Sequence, residues 1–259
     1  MGGGLYVPFL TPPGAAANFR PTMRLTRIAA VVAAVSIAVT ASLAAPPTGE
    51  TLPQVLERFD RVQTSIRTLS AQFVQTTRNP LLKEPTVAKG EFFLTKPDAV
   101  LWEYTSPEPM RFCVAQGEYT GYFPERKRAE RRDIKRWSEQ LFRFFGLGQG
   151  SKELGKFYEI ALGDPGPEMK GSYLLVLSHK KRRVKKNVEE VRLWVDSTNL
   201  LPVRIDYVGK DGGGREIRFA GTRLNPDLSA ALYHVDIPKD VPVSNGFSGL
   251  DLSPSRASR

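Results

Sequence analysis

Hydrophobic and polar residues form four short runs between Val87 and Phe123, AKGEFFLT, AVLWEY, MRFCVA and EYTGYF. These runs are rich in aromatic and β-branched residues, which favour strands. The segments between them, KPD, TSPEP and QG, contain the Pro and Gly residues that end strands. The pattern therefore predicts four antiparallel strands joined by hairpins, with an aromatic surface that another element has to cover.

A helix is predicted ahead of these strands, from Thr48 to Thr68. Its apolar residues recur at spacings of three and four and therefore share one face: Leu52, Val55, Leu56, Phe59, Val62 and Ile66. Thr51 is a suitable N-cap, and Pro53 fits the first turn. The next residues, Leu69–Thr77, alternate with a period of two and predict a further strand. We expect the apolar face of the helix to lie on the sheet.

Further strands are predicted along the rest of the chain, at Tyr158–Leu162, Ser172–Ser178, Glu190–Asp196, Leu201–Val208, Glu216–Leu224 and Ala231–Ile237. A Ser-rich segment, residues 244–259, is expected to be a disordered tail. Serial hairpins with few helices indicate an α+β domain. The predicted architecture is a strongly curved antiparallel sheet that forms an unclosed (half) β-barrel, with helices as a lid or plug.

A second helix is predicted at Ser138–Gly148, with the sequence SEQLFRFFGLG. Five apolar side chains surround most of its circumference, namely Leu141, Phe142, Phe144, Phe145 and Leu147. A helix that is apolar nearly all round has to be covered on more than one side. Two interpretations remain open, a plug inside a cavity and an exposed apolar patch.

The N-terminal part of the chain predicts export. A basic segment is followed by an uncharged apolar run, Ile28–Ala45, with small residues before a cleavage point after Ala44. Residues 23–44 therefore match a secretory signal peptide. The alternative is an uncleaved membrane anchor, because the run approaches the length that spans a bilayer.

The domain boundaries follow from that cleavage point. Residues 1–22 are unusual ahead of a signal peptide, and we interpret them as an artefact upstream of a true start at Met23. The folded domain is predicted to span residues 45–243. All 27 acidic residues and 34 of the 37 basic residues follow Ala44, so the mature chain keeps a net charge of +7 from the +10 of the whole sequence.

Composition argues against several classes of function. Cys113 is the only cysteine, so no disulfide can form within the chain. The two histidines, His179 and His234, have no partner at metal-ligand spacing. Neither a nucleophile elbow nor a phosphate-binding loop is present in the sequence. We therefore expect no enzyme activity, metal or cofactor, and no nucleic-acid partner for an exported chain.

Two basic clusters, residues 125–136 and 179–186, allow two interpretations. They can be solvated hairpins that protect the edge of the sheet. They can also contact anionic lipid head groups or an acidic partner. In the first cluster we expect Ile134 to turn inward, because it is the one strongly apolar residue there.

Four motifs, in this order, resemble the LolA family of periplasmic carriers of outer-membrane lipoproteins. They are F-x-Q at Phe73–Gln75, G-x-F-x-L-x-K-P at Gly90–Pro97, W-x-Y-x-x-P at Trp102–Pro107, and L-W-V-D followed by L-P at Leu193–Pro202. The resemblance covers about Leu52–Val243. The turn AQG stands where the family has SDG, so the chain resembles a divergent member.

The resemblance implies a periplasmic chaperone that takes lipoproteins released from the inner membrane and delivers them to the outer membrane. It implies a monomer whose partners are acylated lipoproteins, an inner-membrane lipoprotein-releasing ABC transporter and an outer-membrane lipoprotein receptor. The family fold is an unclosed barrel with helices as a lid, and its apolar concave face holds the acyl chains. The family's functional basic residue falls on Lys96, which the resemblance assigns to locking the lid; many members carry Arg there.

Alternation along the strands, together with the second helix, gives the predicted cargo-binding residues. They are Phe92, Leu94, Val100, Trp102, Phe112, Tyr122, Leu141, Phe144 and Phe145. Several strands are apolar on both faces, so the alternation alone leaves the choice of cavity face open.

Two other functions stay open at this stage. The half-barrel is similar to the lipoprotein-sensing domain of RseB-type regulators, which bind an anti-sigma factor and carry a second domain. The chain can also be a carrier of free lipid, with the basic turns holding the head groups.

Overall fold

Hairpins produce most of the structure, as the positions of Pro and Gly predicted. The computed structural model describes residues 49–136, 150–180, 188–209 and 212–246. The strands are β1 (Thr68–Arg78), β2 (Thr86–Thr95), β3 (Ala99–Ser106), β4 (Met110–Ala115), β5 (Glu118–Phe123), β6 (Arg128–Asp133), β7 (Tyr158–Gly163), β8 (Ser172–His179), β9 (Val188–Asp196), β10 (Pro202–Gly209), β11 (Gly214–Leu224) and β12 (Val243–Ser244). The helices are α1 (Leu52–Ser65), α2 (Ser151–Leu154) and two short 3₁₀ helices, Pro167–Met169 and Ala230–Tyr233.

Within these ranges the twelve strands form one sheet, in the order β12-β6-β5-β4-β3-β2-β1-β11-β10-β9-β8-β7. The strands pair antiparallel except β12, which runs parallel to β6. Strand β1 lies between β2 and β11, with Phe73 opposite Phe219. The outermost strands, β12 and β7, do not pair with each other, which confirms the predicted unclosed antiparallel sheet.

One face of the sheet, here called the inner face, carries a single large apolar cluster. The cluster joins residues of distant strands, such as Phe92 in β2, Leu175 in β8 and Ile205 in β10. Side chains on one face alternate with side chains on the other, so the opposite, outer face carries a separate set. Because distant strands contribute to the same cluster, the sheet curves around it.

Helix α1 covers the inner face, as its apolar spacing predicted. Thr51 is the N-cap, and its backbone N–H donates to Oε1 of Gln54 at 2.8 Å, as in a capping box. Val55 and Phe59 are fully buried and belong to the inner-face cluster. The prediction of an amphipathic helix that packs on an aromatic sheet is therefore confirmed.

The predicted last strand, Ala231–Ile237, is wrong. Residues Ala230–Tyr233 form a 3₁₀ helix whose N-cap, Ser229, accepts a hydrogen bond from the Ala231 N–H, and the chain then continues without strand pairing. Val235 is buried on the outer face against Leu101 and Cys113. The apolar residues of this segment therefore cover the outer face of β3 and β4 and do not pair as a strand.

The charged segment after β5 folds as the sequence analysis expected, with one addition. Ile134 is fully buried and belongs to the inner-face cluster. The addition is β12, which covers the backbone edge of β6, with the Ala129 N–H donating to the Pro242 carbonyl at 3.0 Å. The tail predicted to be disordered from residue 244 is thus ordered at its start, since Ser244 pairs with Glu130. Residues 247–259 lie outside the described residues, as do residues 1–48 and the predicted helix Ser138–Gly148.

Cys113 gives a simple test of the packing on the outer face. Its side chain is 2% exposed, its thiol donates to the Tyr233 carbonyl at 3.2 Å, and burial raises the pKa of the thiol to about 12. Since the thiolate is the reactive form, native protein should resist alkylation at neutral pH, and protein unfolded in denaturant should react at once. Mass spectrometry after iodoacetamide treatment measures this. Rapid labelling of native protein would contradict the packing of residues 230–235.

Candidate functional site

An aromatic row crosses the inner face through three neighbouring strands. Phe92, Trp102 and Phe112 lie directly opposite one another in β2, β3 and β4. The ring centroids of Phe92 and Trp102 are 4.6 Å apart. Leu94 and Val100 form the next pair in the same direction. Five of the predicted cargo-binding residues therefore come together in one cluster.

Phe73 extends this row into β1. Its ring packs edge-on against Trp102 and Tyr104, with centroid distances of 4.9 Å and 5.0 Å. Gly90 makes the arrangement possible, because a Cβ at that position would lie 2.8 Å from Cζ of Phe73 and 2.1 Å from the Glu103 carbonyl oxygen. On the other side, Phe112 packs against Phe123 at 5.5 Å. The inner face is thus aromatic across five adjacent strands, β1 to β5.

Polar contacts hold α1 at the rim of this surface. Arg58 pairs with Glu50 at 2.8 Å and donates through Nη2 to the Ser197 carbonyl at 2.8 Å. Asp60 accepts hydrogen bonds from the backbone N–H and, at 2.7 Å, from the hydroxyl of Ser151 at the start of α2. These contacts connect α1 to two separate loops of the second half of the sheet. The hydrogen-bonded ladder of the sheet itself does not pass through the helix.

Lys96 holds the other end of α1. Its ammonium donates to the main-chain carbonyl of Gln63 in the last turn of the helix, at 2.6 Å. A cation at this end also interacts favourably with the helix dipole. Burial lowers the pKa of the Lys96 ammonium from its usual 10.5. The residue that the resemblance assigned to lid-locking thus contacts α1 through a single carbonyl, without the planar fork of donors that Arg would offer.

Lys96 predicts a pH dependence with a defined sign. Folding lowers the pKa of the Lys96 ammonium below its usual 10.5. At pH values between these two pKa values, Lys96 is therefore protonated less in the folded protein than in the unfolded chain. The contribution of this group to stability should therefore rise with pH through that window. The test compares the free energies of unfolding of wild type and Lys96→Met from neutral pH up to 10.5. We expect the difference, wild type minus variant, to increase with pH, and a decrease would contradict this account of Lys96.

Tyr122 does not join the other predicted site residues. It lies on the outer face, in the cluster that contains Leu101 and Cys113. Phe123 takes the corresponding place on the inner face. The two-residue turn Gln116–Gly117 explains the difference, because it pairs Ala115 with Glu118 and hence Phe112 with Gly121, which leaves Tyr122 on the opposite face.

The remaining predicted residues, Leu141, Phe144 and Phe145, lie outside the described residues. The cargo-binding set predicted from the sequence also left out residues that the structure brings together on the inner face, namely Phe59, Phe73, Tyr104, Tyr119 and Phe123. Tyr104 could have been predicted from alternation, because it lies two residues after Trp102 and so on the same face of β3. Tyr119 and Phe123 could have been predicted from the length of the Gln116–Gly117 turn, which sets the register of β5.

The first basic cluster has seven Lys and Arg residues, and some of them pair with carboxylates. Three of its arginines form ion pairs at 2.7–3.2 Å, Arg126 with Glu108, Arg128 with Glu130, and Arg131 with Glu118. The Arg128 guanidinium also lies 4.3 Å from the centre of the Phe123 ring. These contacts favour the interpretation as a solvated hairpin. Most of the second cluster, namely residues 181–186 of 179–186, lies outside the described residues.

Two further observations concern other kinds of site. In the described part of the chain, no group of three or more His, Cys, Asp or Glu side chains is arranged to hold a metal ion. None of the helices described has the length and apolar composition needed to cross a membrane.

The sequence of this chain matches the model of a known protein family. The family model described as outer membrane lipoprotein carrier protein LolA matches residues 64–236, which is more than half of the 259 residues. A search of the curated proteins found no significant match.

Solved structures with a similar fold have low sequence identity to the chain. An uncharacterized conserved protein from Thermus thermophilus is 12% identical, and the match covers 75% of this chain and 98% of that one with a TM-score of 0.47. A LolA superfamily protein from Nitrosomonas europaea is 13% identical, with coverages of 72% and 98% and a TM-score of 0.38. A chain of the MucA/MucB complex of Pseudomonas aeruginosa is 10% identical, with coverages of 71% and 61% and a TM-score of 0.43.

Proposed function

Because this chain belongs to the LolA family of outer membrane lipoprotein carrier proteins, we propose that it is a periplasmic carrier of acylated lipoproteins. In this proposal the chain takes lipoproteins released from the inner membrane by an ABC transporter and delivers them to a receptor at the outer membrane. It acts by binding and release, and no catalytic step is required.

The observation that carries the proposal is the aromatic inner face under α1. Phe92 and Trp102 are nearly fully buried on this face, and α1 contributes Val55 and Phe59 to the same apolar cluster. A face of this kind can exchange the side chains of the helix for acyl chains, because both are apolar and neither needs a hydrogen-bond partner.

The attachment of α1 at its rim supports an opening movement. The helix is held there by the Arg58, Asp60 and Lys96 contacts, and none of these belongs to the ladder of the sheet. Solvent can replace such polar contacts when α1 moves, whereas the sheet keeps its own hydrogen bonds. The helix can therefore leave the inner face while the sheet stays folded.

Magnitudes explain why a carrier needs such a cover. Three acyl chains with roughly 40 methylenes, at about 0.8 kcal/mol each, would gain about 30 kcal/mol if fully buried. That exceeds the practical limit of non-covalent affinity, about 18–21 kcal/mol. Displacement of α1 from the inner face offsets part of the gain. Cargo then passes from one apolar surface to another without entering water.

The experiment is to purify the protein from the periplasm of its own cells and to identify bound cargo by native mass spectrometry. We expect acylated lipoprotein in the purified complex, and mislocalised lipoproteins when the gene is deleted. Free phospholipid in place of lipoprotein would indicate a carrier of free lipid. A transmembrane anti-sigma factor in the complex would indicate an RseB-like regulator. Protein without lipid or lipoprotein, with normal sorting after deletion, would contradict the proposal.

A further inference from the structure

Gln63 is a polar residue on the apolar face of α1. It follows Val55 and Phe59 at intervals of four residues, so the three side chains lie on the same face of the helix. That face packs on the inner-face cluster, to which Val55 and Phe59 belong. Gln63 is 1% exposed, and the side chain of this glutamine therefore points into the apolar interior beneath the helix.

Among the residues that the structure describes, the Gln63 side chain has no hydrogen-bond partner. Both Nε2 and Oε1 are buried, and no suitable group in the described ranges lies within hydrogen-bond reach of either atom. The Lys96 contact does not satisfy the side chain, since it goes to the main-chain carbonyl of Gln63. An unpartnered buried amide is unfavourable, and an apolar side chain of the same size would avoid that cost. The amide nonetheless offers two N–H donors and one acceptor toward the interior.

The position of Gln63 along the helix suggests what binds there. It lies in the last turn of α1, where the Lys96 ammonium contacts its main-chain carbonyl, and Val55 and Phe59 precede it on the same face. An acyl chain that enters from this end would place its hydrocarbon against the aromatic row of β2 to β4. Gln63 lies two residues before the end of α1, and β1 begins at Thr68, so this end of the helix stays beside the sheet when the rest of α1 moves off the inner face. The ester or amide carbonyl, which joins the chain to the rest of the ligand, would then lie at the level of Gln63.

We propose that the Gln63 side-chain amide binds the ester or amide carbonyl of an acylated ligand, with Nε2 donating the hydrogen bond. This inference rests on the proposed function, because it requires an acyl ligand on the inner face. Gln63 thereby distinguishes acyl-linked lipids from lipids of the same length joined by ether bonds, which have no carbonyl. The low polarity of the surroundings strengthens such a hydrogen bond.

The test uses two phosphatidylglycerols of equal chain length, one with ester-linked and one with ether-linked chains. Their affinities are measured by displacement of a lipophilic fluorescent dye from the full-length mature protein. We expect wild type to prefer the ester lipid by about tenfold, the effect of one well-formed hydrogen bond. Gln63→Met should remove this preference by weakening ester binding, and it should leave the thermal stability of the empty protein unchanged or higher.

Gln75, in β1, provides a matched control with the same type of side chain. Gln75 already accepts a hydrogen bond from the Tyr104 hydroxyl at 3.0 Å, so Gln75→Met should keep the preference for the ester lipid. Gln63→Leu provides a second apolar replacement.

Equal affinity of wild type for the two lipids would overturn the inference while leaving the proposed function intact. An equal loss of both affinities in Gln63→Met and Gln63→Leu would also overturn it, because it would indicate a purely structural role. Failure of wild type to bind either lipid would overturn this inference, whereas the proposed function is decided separately by the lipoprotein found in the complex purified from the periplasm.

Discussion

Phe59→Ala is expected to lower the free energy of unfolding by about 3–5 kcal/mol and, in the same protein, to raise the affinity for acyl ligands. Phe59 is fully buried in α1 and belongs to the inner-face cluster, so its removal leaves a cavity in the closed, empty protein. Acyl chains occupy the inner face in place of Phe59, so the bound state loses less from the substitution. The apparent affinity should rise about tenfold or more, because the closed state competes less strongly with the ligand.

The measurement pairs urea unfolding with a lipid-binding titration on the same variant. Glu57→Ala is a suitable control, since Glu57 lies on the exposed side of α1 with 72% of its side chain accessible. The control should change neither quantity appreciably. If Phe59→Ala weakened lipid binding in proportion to its loss of stability, α1 would be ordinary core and not a cover that ligands displace.

Gly90→Ala is expected to cost about 3 kcal/mol of stability, a large effect for one added methyl group. The new Cβ would lie 2.1 Å from the Glu103 carbonyl oxygen, which is part of the backbone of β3 and cannot rotate away. It would also press on the Phe73 ring, which packs against Trp102 and Tyr104. The substitution therefore disturbs the sheet ladder and the aromatic row together.

Gly163→Ala provides the matched control for the strand glycine. Its new Cβ would meet the methyl groups of Leu174 and Val176 at 2.9 Å and 3.0 Å, and these side chains can adjust. The urea midpoint should therefore fall clearly less for Gly163→Ala than for Gly90→Ala. Equal midpoints for the two variants would contradict the close approach of β2 and β3 at Gly90.

Most strands of the sheet could be predicted from the sequence because the residues that end them are visible in the local sequence. Pro and Gly at the ends of the runs fix where each strand stops, and hairpins between neighbouring strands then follow from chain connectivity. Helix α1 could be predicted equally well, since its apolar residues recur at the spacing of three and four that is typical of a helix. These features depend on few long-range contacts.

The errors arose where both faces of the sheet are apolar. Tyr122 and Phe123 are both aromatic, so composition does not say which faces inward, and the turn at Gln116–Gly117 decides the matter. Segment Ala231–Ile237 alternates like a strand but covers the outer face, which no local pattern reveals. Gln63 was missed for a related reason, since a single polar residue on a helix is unremarkable until its burial is known.

Trp102 and Trp194 provide the most direct test of the claim that acyl chains bind the inner face. Trp102 lies in the inner aromatic row, whereas Trp194 lies on the outer face, stacked under the Arg204 guanidinium at 4.4 Å. In a Trp137→Phe background, lipids with brominated acyl chains are titrated into variants that retain only one of the two tryptophans, because bromine quenches indole fluorescence over a short range. We predict strong quenching of Trp102 and none of Trp194. Quenching of Trp194 alone, or of neither, would contradict acyl binding on the inner face.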